Sequence, residues 1–160
     1  MGGLCGTCTA CCNAFNVPEI GHVAGKWCKH CDVGVGCKIY NSRPPTCVGF
    51  QCLWLNNYEE GPANLPIELR PDKCKVIFAP TTKPHIISAV TMPNYSDAWR
   101  KPIVRWFISK LIEAGLSVVV GGPNTLRKTF IHKGGEDEIE MSEPDENGIQ
   151  WNRGPVGSRL

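Results

Sequence analysis

The residues with the most evident chemical potential in this 160-residue chain are its ten cysteines, all of which lie in the first 75 positions. Two pairs, Cys5-x-x-Cys8 and Cys28-x-x-Cys31, have the spacing of metal-binding knuckles, with nineteen residues between them. A Cys-x-x-Cys turn directs two sulfurs at one point, and two such turns complete a tetrahedron around zinc with Zn–S distances of about 2.3 Å. The spacing therefore predicts a four-thiolate metal site.

The same region allows a second partition of the thiols. Cys5, Cys8 and Cys11 form a Cys-x-x-Cys-x-x-Cys run, which is typical of three corners of an iron–sulfur cluster whose fourth ligand comes from elsewhere. The candidates for that fourth ligand are Cys37, Cys47 and Cys52. Because neighbouring side chains diverge, we expect that Cys11 and the adjacent Cys12 serve different centres, or that one of them is not a ligand.

After one four-thiolate site is assigned, enough thiols remain for a second. The candidate metal ligands share the first third of the chain and are Cys5, Cys8, Cys11, Cys12, Cys28, Cys31, Cys37, Cys47 and Cys52. Cys74 stands apart, next to the first predicted strand, where a small buried apolar residue is as plausible as a ligand. Zinc is the expected metal, with iron or an iron–sulfur cluster as the alternative.

Three polar residues near these cysteines have weaker claims to the site. Arg43 could donate hydrogen bonds toward thiolate sulfur and offset its charge, or it could pair with Glu19. We expect Glu19 itself to be a surface carboxylate, although it could supply oxygen to iron. His30 lies within a knuckle, where a supporting role is expected in preference to ligation. The other histidines lie outside such motifs: His22, His85 and His132.

The cysteine pattern carries a family resemblance. Cys5-x-x-Cys8-x-x-Cys11-Cys12 resembles the signature of the CxxCxxCC family, also called YkgJ-like, which is named for zinc or iron chelation. The second half of that family's pattern is similar to the downstream stretch, with Trp27-Cys-Lys-His-Cys31 and Gly36-Cys-Lys-Ile-Tyr-Asn-Ser-Arg-Pro-Pro-Thr-Cys47-Val-Gly-Phe-Gln-Cys52-Leu-Trp-Leu55. The resemblance covers about the first 75 residues. It implies metal chelation, leaves zinc and iron open, and brings no family-wide reaction with it.

From the composition and the first residues we expect a cytoplasmic protein. Met1-Gly-Gly-Leu-Cys5 lacks the segments of a signal peptide, and no stretch approaches the roughly 18 to 20 apolar residues of a membrane span. Thiols stay reduced in the cytosol, which favours metal ligation over the alternative of disulfides. Residues 76–135 hold eight Lys/Arg against two acids, but these cations are scattered. A solvated face is therefore expected in place of a nucleic-acid site.

Three zones divide the chain: a cysteine-rich segment over 1–75, a small α/β unit over 76–135 and an acidic, Gly/Pro-containing tail over 136–160. The first zone lacks apolar periodicity, so it needs something other than its own core to hold it together. We expect the last zone to be a surface arm or mobile tail, ordered only if Trp151 docks against the rest.

The middle zone has the local signals of strands and one helix. Runs rich in β-branched residues predict strands at 75–79, 85–91 and 116–120, and an edge strand at 128–132. Pro102 suits the first position of a helix, Gly115 suits its end, and an apolar stripe runs between them. The prediction is an α+β fold: an irregular, metal-stapled N-terminal half packed on a small mixed β-sheet with one main helix.

Function follows from the metal prediction. We expect a metal-binding protein with structural thiolate sites that acts through a protein partner or a larger assembly, with an iron–sulfur redox or electron carrier as the alternative. An enzyme is a third hypothesis, for which the chain offers no Gly-rich phosphate loop, Gly-x-Ser-x-Gly or His-Glu-x-x-His motif. Phe50, Leu53, Trp54 and Leu55 are expected to pack against the sheet and to join the two halves.

Overall fold

The computed structural model, which describes residues 5–60, 65–146 and 148–156, contains a mixed six-stranded sheet, a two-stranded sheet and one long helix. The strands of the large sheet are β3 (Val76–Pro80), β4 (Ile86–Thr91), β5 (Ser117–Gly121), β6 (Arg127–His132), β7 (Gly135–Met141) and β8 (Asn152–Pro155). Their order in the sheet follows the chain. All neighbours are antiparallel except β4 and β5, which are parallel. The predicted α+β class, with one main helix on a mixed sheet, is confirmed.

The long helix, α5 (Pro102–Glu113), forms the crossover between the two parallel strands. Pro102 occupies its first turn, where no N–H is needed, and Gly115 follows its end with φ 90°, a left-handed conformation that favours glycine. The helix buries Val104 and Phe107 against the sheet, and the Phe107 ring meets the Phe78 ring edge-on with centroids 4.9 Å apart. The predicted helix and its boundaries are confirmed.

The two faces of the sheet bury different parts of the protein. Side chains alternate along β3, so Val76 and Phe78 join the core beneath α5, whereas Ile77 belongs to a second apolar cluster. The second cluster combines Val90 and Met92, from the sheet region, with residues of the cysteine-rich half, as we call residues 1–75. The sheet therefore has the long helix on one face, and residues between Cys8 and Cys52 pack on the other.

The cysteine-rich half consists of short elements joined by turns. They are α1 (Cys11–Ala14), β1 (Cys31–Asp32), β2 (Gly36–Cys37), α2 (Pro45–Gly49), α3 (Leu53–Glu60) and α4 (Pro71–Cys74), with 3-10 turns at Pro18–Ile20, Tyr40–Ser42 and Ile67–Leu69. Helix α3 was not predicted from the sequence. Among the described residues, no helix is long and apolar enough to cross a membrane.

The two halves meet through the apolar residues around Cys52. Leu53 and Trp54 pack against the core beneath α5, and Phe50 packs against the second cluster on the opposite face. Leu55 is buried, and the Phe50 ring lies against Phe15 with centroids 4.6 Å apart. The expectation that this stretch packs against the sheet is confirmed for Phe50, Leu53 and Trp54.

The expectation of a surface arm after residue 135 is wrong. Gly135–Met141 and Asn152–Pro155 add two strands to the sheet, which makes 128–132 an interior strand and corrects its prediction as an edge. Backbone pairing provides this order, because the Trp151 side chain remains 65% exposed. Its backbone exchanges hydrogen bonds with Ser142: Ser142 N–H donates to the Trp151 carbonyl at 2.8 Å, and Trp151 N–H donates to Ser142 Oγ at 2.8 Å.

Candidate metal centre

Most of the predicted ligands line one cavity of about 1100 Å³ in the N-terminal half. The cysteines in its wall are Cys5, Cys8, Cys11, Cys12, Cys28, Cys37, Cys47 and Cys52. They come from six separate short elements and turns, so only the tertiary fold brings them together. Sulfur donors gathered on one surface suit zinc, iron or an iron–sulfur cluster.

The first group of thiols lies beside the sheet, and we call Cys5, Cys8 and Cys52 the sheet-side thiols. Cys8 and Cys52 pack against the apolar cluster that contains Ile77 and Val90. A turn joins the first two cysteines, because the Cys8 N–H donates to the Cys5 carbonyl at 3.1 Å. Burial raises the pKa of all three thiols, and repulsion from Cys52 raises the pKa of Cys5 further.

The second group surrounds the β1–β2 hairpin, and its members, the hairpin-side thiols, are Cys12, Cys28, Cys31, Cys37 and Cys47. Cys31 and Cys37 are directly paired across the hairpin. The Cys28 N–H donates to the Cys12 carbonyl at 3.0 Å, which fixes the knuckle against α1. Cys47, on α2, has its pKa raised by burial and then by the nearby Cys12, Cys28 and Cys37 thiols.

The knuckle at Cys28 has the backbone geometry of a metal-binding turn. The Cys31 N–H donates to the Cys28 carbonyl at 3.0 Å, and the His30 N–H donates to the Cys28 sulfur at 3.4 Å. Such N–H donors stabilise a thiolate, since they supply positive charge density to the sulfur. His30 therefore supports the Cys28 sulfur through its backbone, and the residue also lines the cavity.

The adjacent cysteines of α1 interact with each other. The neighbouring Cys11 side chain, followed by burial, raises the pKa of the Cys12 thiol. Cys31 also lies close to Cys12. Burial, followed by repulsion from Cys12, raises the pKa of the Cys31 thiol to about 12. Cys12 is therefore a hairpin-side thiol with Cys11 directly beside it. The assignment of the two cysteines to different centres stays a prediction.

Arg43 and Glu19 have separate partners. The Arg43 guanidinium stacks over the Tyr40 ring at 3.8 Å from its centroid, and its Nε donates to the Tyr40 carbonyl at 2.9 Å. Its charge opposes the rise in the pKa of Cys5 that burial and Cys52 cause. Glu19 is exposed and accepts hydrogen bonds from Thr46 N–H at 2.9 Å and Thr46 Oγ1 at 2.7 Å. The structure therefore has Glu19 bound to Thr46, which corrects the alternative of an Arg43–Glu19 pair.

Cys74 is separate from the cavity. It is 2% exposed in the core beneath α5, and its thiol donates to the carbonyls of Val76 at 3.2 Å and Leu69 at 3.4 Å. These contacts are those of a small buried apolar residue with a weak S–H donor. The sequence allowed Cys74 to be a small buried apolar residue or a metal ligand, and its surroundings fit the first of these interpretations.

Sharing a cavity does not by itself make a coordination shell. All ten cysteines lie in the described part of the chain and are free thiols. Among the described residues, no three Cys, His, Asp or Glu side chains form a group that could hold a metal ion. The thiols therefore surround a common space without meeting at a common point, and ligation would draw their side chains inward.

One cavity-lining residue has no sequence signal. His22 lies outside every cysteine motif, yet it contributes to the cavity wall, and its Nε2 is buried without a hydrogen-bond partner among the described residues. Buried polar atoms of this kind are uncommon and call for a partner. Only the tertiary structure could draw attention to this residue.

Comparison with protein-family models, with curated proteins and with solved structures found no match for this chain. The resemblance to the CxxCxxCC family consequently stays a prediction that depends on the residues quoted for it.

Proposed function

We propose that this protein binds zinc or iron through the cysteine thiolates of its N-terminal half. The observation that carries the proposal is the gathering of eight cysteines on the wall of one cavity. Thiols scattered over 48 positions of the chain would not be expected to share one surface without a role there. The donor set is sulfur-rich, which suits zinc and iron and does not suit magnesium or calcium.

The division into sheet-side and hairpin-side thiols is the reason to propose two metal centres. The sheet-side thiols, with Cys11 as a neighbour in sequence, supply the Cys-x-x-Cys-x-x-Cys run and Cys52. The hairpin-side thiols supply the second knuckle and the cysteines of β2 and α2. Each centre would join segments that are distant in the sequence, and a bound metal supplies the cross-links that this half, with its very short elements, otherwise lacks.

The role proposed for the metal is structural, and the protein would then act through a macromolecular partner. Support comes from large apolar side chains that the cysteine-rich half leaves exposed: Val23, Trp27, Val33, Val35 and Val48. Contiguous exposed apolar side chains often mark an interaction surface, and we propose that these five form one. Ten free thiols suit a reducing compartment, so we place this function in the cytoplasm.

An iron–sulfur protein that carries electrons is the second candidate. The observation in its favour is that Cys5, Cys8, Cys11 and Cys52 all line the same cavity, which provides four thiols for one cluster. The Cys5, Cys8 and Cys11 run adds the ligand spacing of such a cluster. Colour distinguishes the two candidates, because an iron–sulfur cluster absorbs in the visible range and zinc thiolates do not.

Elemental analysis of anaerobically purified, reduced protein tests the proposal. For metals bound as single ions, we expect about four cysteine ligands each, and therefore a zinc or iron content of about one or two per chain. Cys28→Ala should lower that content, whereas Cys74→Ala, which removes a thiol outside the cavity, should leave it unchanged. Protein that retains no metal, and that takes up neither zinc nor ferrous iron in titration, would refute metal binding.

A further inference from the structure

Among the described residues that line the cavity, only His22 has a buried side-chain nitrogen or oxygen without a hydrogen-bond partner. Its Nε2 is buried and has no hydrogen-bond partner among the described residues, and the residue lines the cavity that holds the cysteines. Asn13 Oδ1 shares that lack of a partner, but Asn13 is not among the residues that line the cavity. A buried imidazole nitrogen without a partner destabilises a fold unless another group bonds to it.

The backbone fixes His22 at the end of a closed loop. The Val17 N–H donates to the His22 carbonyl at 2.9 Å, and the His22 N–H donates to the Val17 carbonyl at 3.1 Å. Between these two residues, Glu19 accepts both hydrogen bonds from Thr46, the residue before Cys47. The loop that presents His22 is thereby fastened beside one of the hairpin-side thiols.

The chain after His22 runs back along α1. Ala24 N–H donates to Asn16 Oδ1 at 2.9 Å, and Gly25 N–H donates to the Asn13 carbonyl at 2.7 Å. The next such bond, from Cys28 N–H to the Cys12 carbonyl at 3.0 Å, places the knuckle against the same helix. His22 therefore belongs to a segment that is held, before and after it, to backbone carrying hairpin-side thiols.

We propose that His22 Nε2 is a ligand of the metal bound by the hairpin-side thiols, which makes that centre a mixed cysteine–histidine site. The inference rests on the proposed metal-binding function and adds a nitrogen donor to it. Neutral imidazole is a common ligand of zinc and of iron, and sites with three cysteines and one histidine are a standard structural type. The ligating tautomer carries its proton on Nδ1 and leaves the Nε2 lone pair for the metal.

The other histidines lack this combination. His30 lines the cavity, but it has no ring nitrogen that is buried without a partner. His85 is exposed just before β4, and the Nε2 of His132 lies 2.8 Å from Asp137 Oδ2, so that this nitrogen already has a partner. Neither residue lines the cavity. His85→Ala is accordingly a matched control, since it removes an imidazole that is outside the proposed site.

Proton balance separates a histidine ligand from a cysteine ligand. Each cysteine that binds the metal replaces an S–H bond with a sulfur–metal bond and releases its proton to solvent, whereas neutral His22 binds through a lone pair and releases none. His22→Cys should therefore bind metal with about one more proton released than the wild type. It should also convert the centre to sulfur ligands alone.

Cobalt(II) added anaerobically to the reduced, metal-free chain is the probe. X-ray absorption of the wild-type cobalt complex should contain a shell from imidazole nitrogen in addition to sulfur, and this shell should be lost in His22→Cys. His22→Ala should weaken cobalt binding at least about 10-fold, the loss typical even of residues that only support a ligand. His85→Ala should bind cobalt as the wild type does.

Two outcomes would overturn the inference while the proposed function survives. In the first, wild-type protein binds cobalt through sulfur alone. In the second, His22→Ala keeps the wild-type affinity and absorption spectrum, and His22→Cys releases no additional proton. Failure of the wild type to bind cobalt, zinc or iron would instead overturn the proposed function, and the assignment of His22 with it.

Discussion

Replacing Trp54 tests how firmly the cysteine-rich half is joined to the sheet. Its ring packs against the core beneath α5, and its Nε1 donates to the Pro66 carbonyl at 3.2 Å. Truncating a fully buried aromatic residue to alanine costs about 3 to 5 kcal/mol. Trp54 is only partly buried. We therefore expect Trp54→Ala to lower the free energy of unfolding by about 3 kcal/mol, of which the hydrogen bond supplies about 1 kcal/mol.

Urea denaturation of the metal-loaded protein measures this change, and two further variants divide it. Trp54→Phe keeps an aromatic ring but removes the N–H donor, so it should cost about 1 kcal/mol. Trp151→Ala is the matched control, because this tryptophan is 65% exposed, and it should change stability by less than about 0.5 kcal/mol. In thermal unfolding, a loss of about 3 kcal/mol corresponds to a lower Tm by about 6 to 12 °C.

The reasoning about Trp54 would be refuted if Trp54→Ala were no more destabilising than Trp151→Ala. An unchanged stability together with weaker assembly would assign Trp54 to a partner interface. The first result would mean that the two halves of the chain fold independently of this contact.

Three other predictions follow from the same structure. Removing metal with a chelator under reducing conditions should abolish amide-exchange protection in the cysteine-rich segment 1–75 and leave protection in the sheet. The reason is that structural zinc contributes about 10 to 16 kcal/mol of binding free energy in small peptides. Near-native protection of segment 1–75 without metal would contradict the structural role. Zinc affinity should rise between about pH 6 and pH 8. Burial raises the pKa of thiols such as Cys5 and Cys8, so they are protonated in this range and must each lose a proton to bind metal. Titration with a competing chelator measures the affinity, and an affinity independent of pH would argue against thiolate ligands. Ile139→Ala, at a 4% exposed position of β7, should lower the free energy of unfolding by about 2 to 5 kcal/mol in urea denaturation. Ile149→Ala, at a 48% exposed position, should lower it far less. Equal effects would mean that residues after 135 do not belong to the folded sheet.

Local signals accounted for the middle of the chain. Strands at 76–80, 86–91 and 117–121 follow from runs of β-branched residues, and the ends of α5 follow from Pro102 and Gly115. These signals work because each depends on the backbone preferences of a few neighbouring residues. Helix α3 escaped prediction since its apolar residues crowd into one turn and give no repeating stripe.

The strands after residue 135 could not be predicted with the same rules. Gly135–Met141 is acidic at four of its seven positions, and strands of this composition are stabilised by the neighbour with which they pair. Its partner β6 is basic at Arg127 and Lys128, and across the sheet Arg127 lies opposite Glu140. Opposite charges on paired strands favour this register, which becomes visible only once the pairing is known.

The sequence by itself determined which residues could bind metal, because cysteine spacing restricts the geometry of nearby sulfurs, and it determined the class of the fold. Tertiary structure decided which of those thiols share a cavity and that Cys74 does not, since convergence depends on contacts between segments far apart in the chain. It also decided the place of His22. No local pattern distinguishes that histidine from His85, and only long-range packing leaves one imidazole nitrogen buried beside cysteines and the other residue exposed to solvent.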